Sequence, residues 1–261
     1  MAKTKRIFNC VPSKDKQDDW KMDKAIAMGL SPKKKVLLKT VDLRAKWWKV
    51  GNQGETGACV GWATADSLLR YHFTKAKKIK PGEHMSVRFI WMASKEMDEY
   101  IDYPTTFIDD AGTSLKSALK VAKKFGALTA ENLPFDGKLV KVKEGNFLKV
   151  AGKFKIKAYF NLAQKQSEKI NLFKEWLAYH GPVLTCLDCD DSWNYPPKGG
   201  ILTKYDKKSV DGGHCVSIVG YTPTHFIIRN SWGTSWGDKG FVYASYDYVQ
   251  DAFKEAYGIV L

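Results

Sequence analysis

The hydrophobic pattern of this chain changes period near the middle, and that change limits the folds open to it. From Cys59 onward Val60, Ala63, Leu68 and Leu69 fall on one helical face and predict a helix to about Phe73. Ser86 can cap a second helix carrying Phe89, Ile90 and Met92. Thr113 or Ser114 can cap a third, with Leu115, Ala118, Leu119 and Ala122 at helical spacing and Gly126 as its stop. The later half carries one helical stretch, 168–179, ended by Gly181-Pro182. Around it lie β-branched or aromatic runs bounded by Gly, Pro and Asp: Val183 to Leu187, Cys215 to Tyr221, Phe226 to Arg229 and Phe241 to Ala244. The sequence thus divides into a helix-rich half and a strand-rich half, with no internal repeat.

The 261 residues suit one large domain or two small ones, and a hydrophobic content of 44% supports a real core rather than disorder. The balance of 42 basic against 28 acidic residues, a net charge of +14, admits nucleic acid, an anionic membrane or an acidic partner. The only arginines are Arg6, Arg44, Arg70, Arg88 and Arg229, and they are scattered, whereas bidentate phosphate recognition favours arginine. The charge is therefore read as a solubility feature, with no specific nucleic-acid partner expected. No apolar run approaches the roughly 18 residues of a membrane span. The start of the chain is basic but has no apolar stretch or small-residue cleavage site, so no secretory signal is expected and the compartment is expected to be cytoplasmic. Five cysteines, Cys10, Cys59, Cys186, Cys189 and Cys215, are too few and odd in number for a disulfide framework. Residues 1–38 are Lys-rich, contain Pro12 and Pro32, and are read as an arm that is disordered by composition.

Three clusters carry chemistry. In Gly51-Asn52-Gln53-Gly54-Glu55-Thr56-Gly57-Ala58-Cys59 a Gly-rich loop delivers a thiol to the start of a predicted helix. Unpaired N–H groups and the helix dipole there favour the thiolate, the nucleophilic form. The Gln53 amide and the Cys59 N–H can together hold a developing oxyanion. In Asp211-Gly212-Gly213-His214-Cys215 a histidine opens an apolar strand after two glycines, and beside a nucleophile it becomes a candidate base. In Asn230-Ser231-Trp232-Gly233-Thr234-Ser235-Trp236-Gly237 the Asn230 oxygen can accept the imidazole N–H across a hairpin and fix its tautomer, and Trp232 can cover that bond. Each cluster alone has a plainer reading, as a buried thiol, a structural histidine and a turn.

Together, Asn52-Gln53-Gly54…Gly57-Ala58-Cys59, Gly213-His214 and Asn230-Ser231-Trp232-Gly233…Trp236-Gly237 resemble papain-like cysteine peptidases over about residues 40–261. Val41-Asp42-Leu43-Arg44 resembles the usual start of the mature enzyme, and His214 follows Cys59 by 155 residues, slightly beyond the family's roughly 130–150. The Cys-Val-Gly-Trp-Ala run and Tyr246-Asp247-Tyr248 are similar to bacterial and viral members. The resemblance implies a two-lobed α+β fold, with a helical left lobe over 39–150, an antiparallel β-barrel-like right lobe over 151–261, and the active site in the cleft between. It implies a cysteine-type peptidase without cofactor or metal, acting on peptide or protein substrates through a thioester. Cys59 matches the nucleophile, His214 the base, Asn230 the orienter and Gln53 the oxyanion donor. Trp232 matches the shield over the His–Asn bond, Trp236 the leaving-group wall, Gly57 the glycine beside the scissile residue and Gly112 the glycine that pairs with substrate backbone. Gly213 and Gly212 stand where bulkier residues line the specificity pocket, which implies an open pocket for a large apolar side chain. Thr56 replaces a half-cystine of secreted members, and Val60 replaces Trp or Tyr. A second role for the 1–38 arm follows: crossing the cleft and holding the enzyme latent.

Other features are set aside. Cys186-Leu187-Asp188-Cys189 lacks the second ligand pair of a zinc site and ends a strand rather than opening a helix, so it is read as an incidental buried pair. Cys215 is read as core and Asp190-Asp191 as a solvated loop. A transglutaminase-like acyltransferase and a catalytically silent papain-fold binding module stand as the alternatives.

Overall fold

The computed structural model describes residues 6–33, 36–98, 107–137 and 144–261. Its strands in chain order are β1 (Cys10–Val11), β2 (Val41–Asp42), β3 (Thr113–Ser114), β4 (Ala158–Asn161), β5 (Val183–Cys189), β6 (Ile201–Leu202), β7 (Gly212–Tyr221), β8 (His225–Arg229), β9 (Phe241–Ser245) and β10 (Phe253–Val260). The larger sheet runs β4-β10-β5-β7-β8-β9-β6, with β2 added to β7. Its pairings are antiparallel except for β6 on β9, so the strand-rich half carries one parallel pair that the expected antiparallel lobe did not include.

The strand β5 explains the near-continuous apolar runs read in the sequence. Leu184 and Cys186 face a core shared with the helices, while Val183, Leu187 and Cys189 face a second core on the other side. A sheet covered on both faces needs apolar residues at successive positions rather than alternate ones. The same alternation sends Cys186 and Cys189 to opposite sides, so they are not a pair.

A single helical run begins at Cys59 and passes through Cys59–Gly61, a π-helical stretch Trp62–Leu69, and Arg70–Lys75. Wide i→i+5 turns of this kind are uncommon. The run is buried through Val60, Ala63, Ala65, Leu68, Leu69 and Phe73. Gly61 lets the helix Val87–Glu96 approach closely, since a Cβ there would lie 2.8 Å from the Trp91 Cβ. The neighbouring helices start where their caps dictate. Ser86 Oγ accepts from Phe89 N at 3.1 Å, and Ser114 Oγ accepts from Ser117 N at 3.2 Å at the start of Leu115–Lys124. Each such cap contributes about 1 kcal/mol.

A buried ion cluster ties this helical run to the sheet. Asp66 Oδ1 accepts from Arg70 at 3.1 Å and meets His84 Nδ1 at 3.0 Å, while Oδ2 accepts from Arg229 of β8 at 2.6 Å. Arg229 also donates to the Lys49 carbonyl at 2.7 Å. Burial alone would raise the Asp66 carboxyl, but the Arg229 charge, the His84 bond and Arg70 override it and hold the group well below the usual carboxylate range.

Residues 6–33 fold onto this frame, which disorder does not describe. The strand β1 lies parallel to β3, and the short helix Met22–Ala27 buries Met22 and Ala25 in the second core. Ser13 N donates to the buried Glu255 carboxylate at 2.8 Å, Lys16 meets the same oxygen at 3.0 Å, and Tyr257 OH donates to Asp19 at 2.7 Å. The composition misleads because the lysines stay in solvent while the backbone borrows partners from edges already present.

Candidate active site

Cys59 opens the central helix with Ala58 before it. The backbone N–H groups of Cys215, Val60 and Asn9 lie close enough to its sulfur to favour the thiolate. The Cys215 amide follows His214 directly, so the thiol lies against the start of β7, 155 residues away in the chain. His214 heads β7 because Gly212 and Gly213 precede it, and Asn230 follows the last residue of β8, the strand hydrogen-bonded to β7.

His214 Nε2 and Asn230 Oδ1 are 2.8 Å apart. The same Oδ1 accepts from Ser231 N at 2.8 Å, which fixes this atom as the oxygen of the carboxamide. The imidazole must therefore carry its proton on Nε2, leaving Nδ1 as an acceptor. Nδ1 is buried and has no hydrogen-bond partner among the described residues. Trp232 stacks on the imidazole with ring centroids 4.5 Å apart, and Trp193 meets its edge at 6.0 Å. Trp236 stacks on Trp193 at 5.4 Å and donates from Nε1 to the Trp193 carbonyl at 2.9 Å.

Gln53 is held by the turn that follows Asn230. Its backbone N–H donates to the Ser231 carbonyl at 2.8 Å, its Oε1 accepts from Ser231 Oγ at 2.7 Å, and its Nε2 donates to the Thr56 carbonyl at 2.9 Å. The carboxamide is thus oriented from both sides, with one of two Nε2 hydrogens used. Gly57 is pressed against the 109–111 segment, and its N–H donates to the Asp109 carbonyl at 2.8 Å.

The N-terminal arm lies over the thiol and imidazole. A Cβ on Gly112 would run into the Asn9 carbonyl, one on Gly213 would lie 2.5 Å from the Cys10 carbonyl, and one on Gly212 would lie 2.8 Å from that of Phe8. Three positions without side chains therefore form the bed for the arm's backbone, which also bridges Asn9 to Gly213. The space that the glycines were expected to leave for a substrate is filled by this chain itself. Phe8 lies edge-on to His214 at 6.2 Å and to Trp232 at 5.8 Å, and the Arg6 guanidinium sits 4.5 Å over the Trp232 ring. Cys59 and His214 are consequently fully buried. Burial pushes the Cys59 thiol up to about 12, against the pull of the Cys215 N–H. Burial likewise pushes His214 down to about 4, opposed by the Asn230 bond and assisted by the Arg6 charge. With the arm in place burial favours the neutral form of both groups, against the thiolate expected at this helix start.

The sequence pattern described as "Papain family cysteine protease" matches residues 37–256. The chain belongs to that family. A viral cathepsin of Choristoneura fumiferana defective polyhedrosis virus is 26% identical over 199 residues, 74% of this chain and 54% of the relative. A peptidase C1-like protein of Acanthamoeba polyphaga mimivirus, called uncharacterized, is 26% identical over 213 residues, covering 77% and 65%. This papain-family chain spans about half the length of the viral cathepsins it matches. Xylellain, a cysteine protease from Xylella fastidiosa, superposes with a TM-score of 0.78 at 23% identity over 100% of this chain and 98% of its own. Procathepsin B S9 from Trypanosoma congolense gives 0.73 at 15% identity over 99% and 87%. At those identities the structures speak for the fold, which is the α+β, two-lobed papain fold.

Several participants were not read from the sequence. Trp193 lies in no motif, and Ser231, though inside the Asn-Ser-Trp-Gly run, carried no expected role. Arg6 and Phe8 lie in a segment whose composition hid them. Asp190 is no solvated residue: it is buried, accepting from Ser192 N at 3.2 Å, Tyr248 OH at 2.8 Å and Asp206 N at 2.9 Å. Its side chain caps the short turn that presents Trp193, whereas Asp191 is exposed as expected. No helix among the described residues is long and apolar enough to cross a membrane.

Proposed function

We propose that the chain hydrolyses peptide bonds by acyl transfer to Cys59, and that its own residues 6–13 hold the site closed. The observation that carries the proposal is the imidazole with its proton fixed on Nε2 by Asn230 and its Nδ1 lone pair unclaimed, on the residue before Cys215, whose backbone N–H reaches the Cys59 thiol at a helix N-terminus. Such a nitrogen can take the Cys59 proton as the sulfur attacks a carbonyl carbon. The Cys59 N–H and the second Nε2 hydrogen of Gln53 stabilise the oxyanion, each such donor being worth about 3 kcal/mol. His214 returns its proton to the leaving amine, and a thioester remains. Water attacks the thioester, giving its proton to Nδ1. The acid departs and the thiol is restored. Trp232 keeps water from the His214–Asn230 bond.

With the arm seated the pair is neutral and shielded. Once the arm leaves, both groups regain solvent and return towards their ordinary values, where proton transfer between them is easy. Procathepsin B S9, a precursor form by name, covers nearly all of this chain, which supports a closed-form reading.

A thiol-directed active-site probe followed by a peptide library tests the proposal. The chain should label at one cysteine and release peptides, and Cys59→Ala should lose both. Phe8→Ala should speed labelling by loosening the arm. Labelling that survives in Cys59→Ala contradicts the assignment, and amine transfer in preference to hydrolysis would favour an acyltransferase.

A further inference from the structure

Cys59 is used by the chemistry above, and Cys189 faces the far side of the sheet. The remaining three thiols share one core: Cys10, Cys186 and Cys215. Cys186 and Cys215 lie directly opposite each other on β5 and β7. Gly213 and Cys215 are two apart on β7 and so point to the same face. A Cβ on Gly213 would lie 3.5 Å from that of Cys10, which brings Cys10 over this face. The Cys10 thiol lies close enough to those of Cys186 and Cys215 for each to act on its titration. All five cysteines are free thiols. One member of the cluster therefore belongs to the arm and two belong to the cleft wall.

We propose that Cys10 is a reversible cross-linking site, forming a disulfide with Cys186 or Cys215 that latches the arm in the cleft. The inference rests on the reading of residues 6–13 as the occupant of the site. The oxidant is a small-molecule disulfide. The Cys10 thiolate attacks it, releasing one small thiol and leaving a mixed disulfide on Cys10. The thiolate of Cys186 or Cys215 then attacks the Cys10 sulfur and releases the second small thiol. Two cysteines lose two electrons and two protons, and both end on the two small thiols. A dithiol reverses the sequence. Burial pushes the Cys10 thiol well above its ordinary value, so exchange starts when the arm lifts and Cys10 meets water. The bond then joins residues far apart in the chain and raises the local concentration of the arm at its seat.

The experiment equilibrates the full chain with dithiothreitol or with oxidised glutathione, removes the reagent, and reads two things. Non-reducing peptide mapping should find Cys10 joined to Cys186 or Cys215 only after oxidation. Labelling of Cys59 should slow by about tenfold or more in the oxidised sample and recover on reduction. Cys10→Ser should lose both the cross-link and the redox dependence. The double variant Cys186→Ala with Cys215→Ala should lose them from the other side, which separates the latch from a folding defect in either variant. A bond between Cys186 and Cys215, one between Cys10 and Cys59, or mixed disulfides alone would overturn the latch. A correct cross-link without slower labelling would instead overturn the arm as occupant. A Phe8→Ala variant that labels faster while no cross-link forms would keep the occupant and discard the latch.

Discussion

The two nitrogens of His214 have different surroundings, and the difference predicts what each controls. Nε2 is committed to Asn230, so Asn230→Ala leaves a buried N–H without its acceptor. That loss is worth about 1–3 kcal/mol, and kcat should fall by about 5- to 150-fold with KM little changed. Steady-state kinetics on a cleaved peptide checks it. The closed form also has a pH dependence of known sign. Burial lowers His214 from 6.5 to about 4, so the neutral form is favoured while the arm is seated. The stability this adds to closure is present above pH 6.5 and is lost as pH falls through about 4, on the order of 3 kcal/mol in all. Arg6 over Trp232 adds a like charge once the imidazole protonates. Hydrogen exchange at residues 8–11, corrected for the intrinsic rate, should therefore speed up between pH 7 and pH 4. At this scale the thiol, imidazole, carboxamide and glutamine were legible because their chemistry restricts their neighbours in sequence. Trp193 was not, because what places it is the buried Asp190 beneath its turn.

Among the elements, the helical run from Cys59 and the strands β7 and β8 must keep register, and Asp66 is the joint between them. Asp66→Asn removes the charge shared by two buried arginines, Arg70 and Arg229. Leaving them uncompensated should cost about 3–5 kcal/mol, read as a lowered urea midpoint at unchanged slope. Nothing in the sequence linked Asp66 to Arg229, since the pair spans 163 residues. The helices starting at Val87 and Leu115 were readable because Ser86 and Ser114 are side-chain caps. The strand β10 was not, because Lys254, Glu255 and Gly258 interrupt its apolar pattern. Tertiary contacts account for two of the three: Glu255 receives the arm, and a side chain at Gly258 would collide with Trp176. The π-helical stretch Trp62–Leu69 leaves no trace in spacing, since its apolar residues serve an α-helical face equally well.

Across the whole molecule, the helix-rich half read in the sequence packs into one large core on one face of the sheet, a second large core lies on the other face, and a small third gathers around Trp48 and Tyr71. The arm escaped that reading, because its order comes from edges and glycines supplied by the rest of the chain. Gly213→Ala tests this dependence. The residue's backbone accepts alanine, yet the new methyl group would meet the Cys10 carbonyl. Cleavage at Lys14 or Lys16 by an added Lys-specific serine protease should quicken several-fold, with little change in the global unfolding midpoint. Because the occupant of the cleft is covalently continuous with its walls, its local concentration is fixed by geometry and no dilution of the protein will lower it. Any soluble inhibitor or substrate must then compete with a rival present at the same strength in a nanomolar assay as in a crowded vesicle. Its apparent affinity will be weakened by the fraction of molecules that stand open.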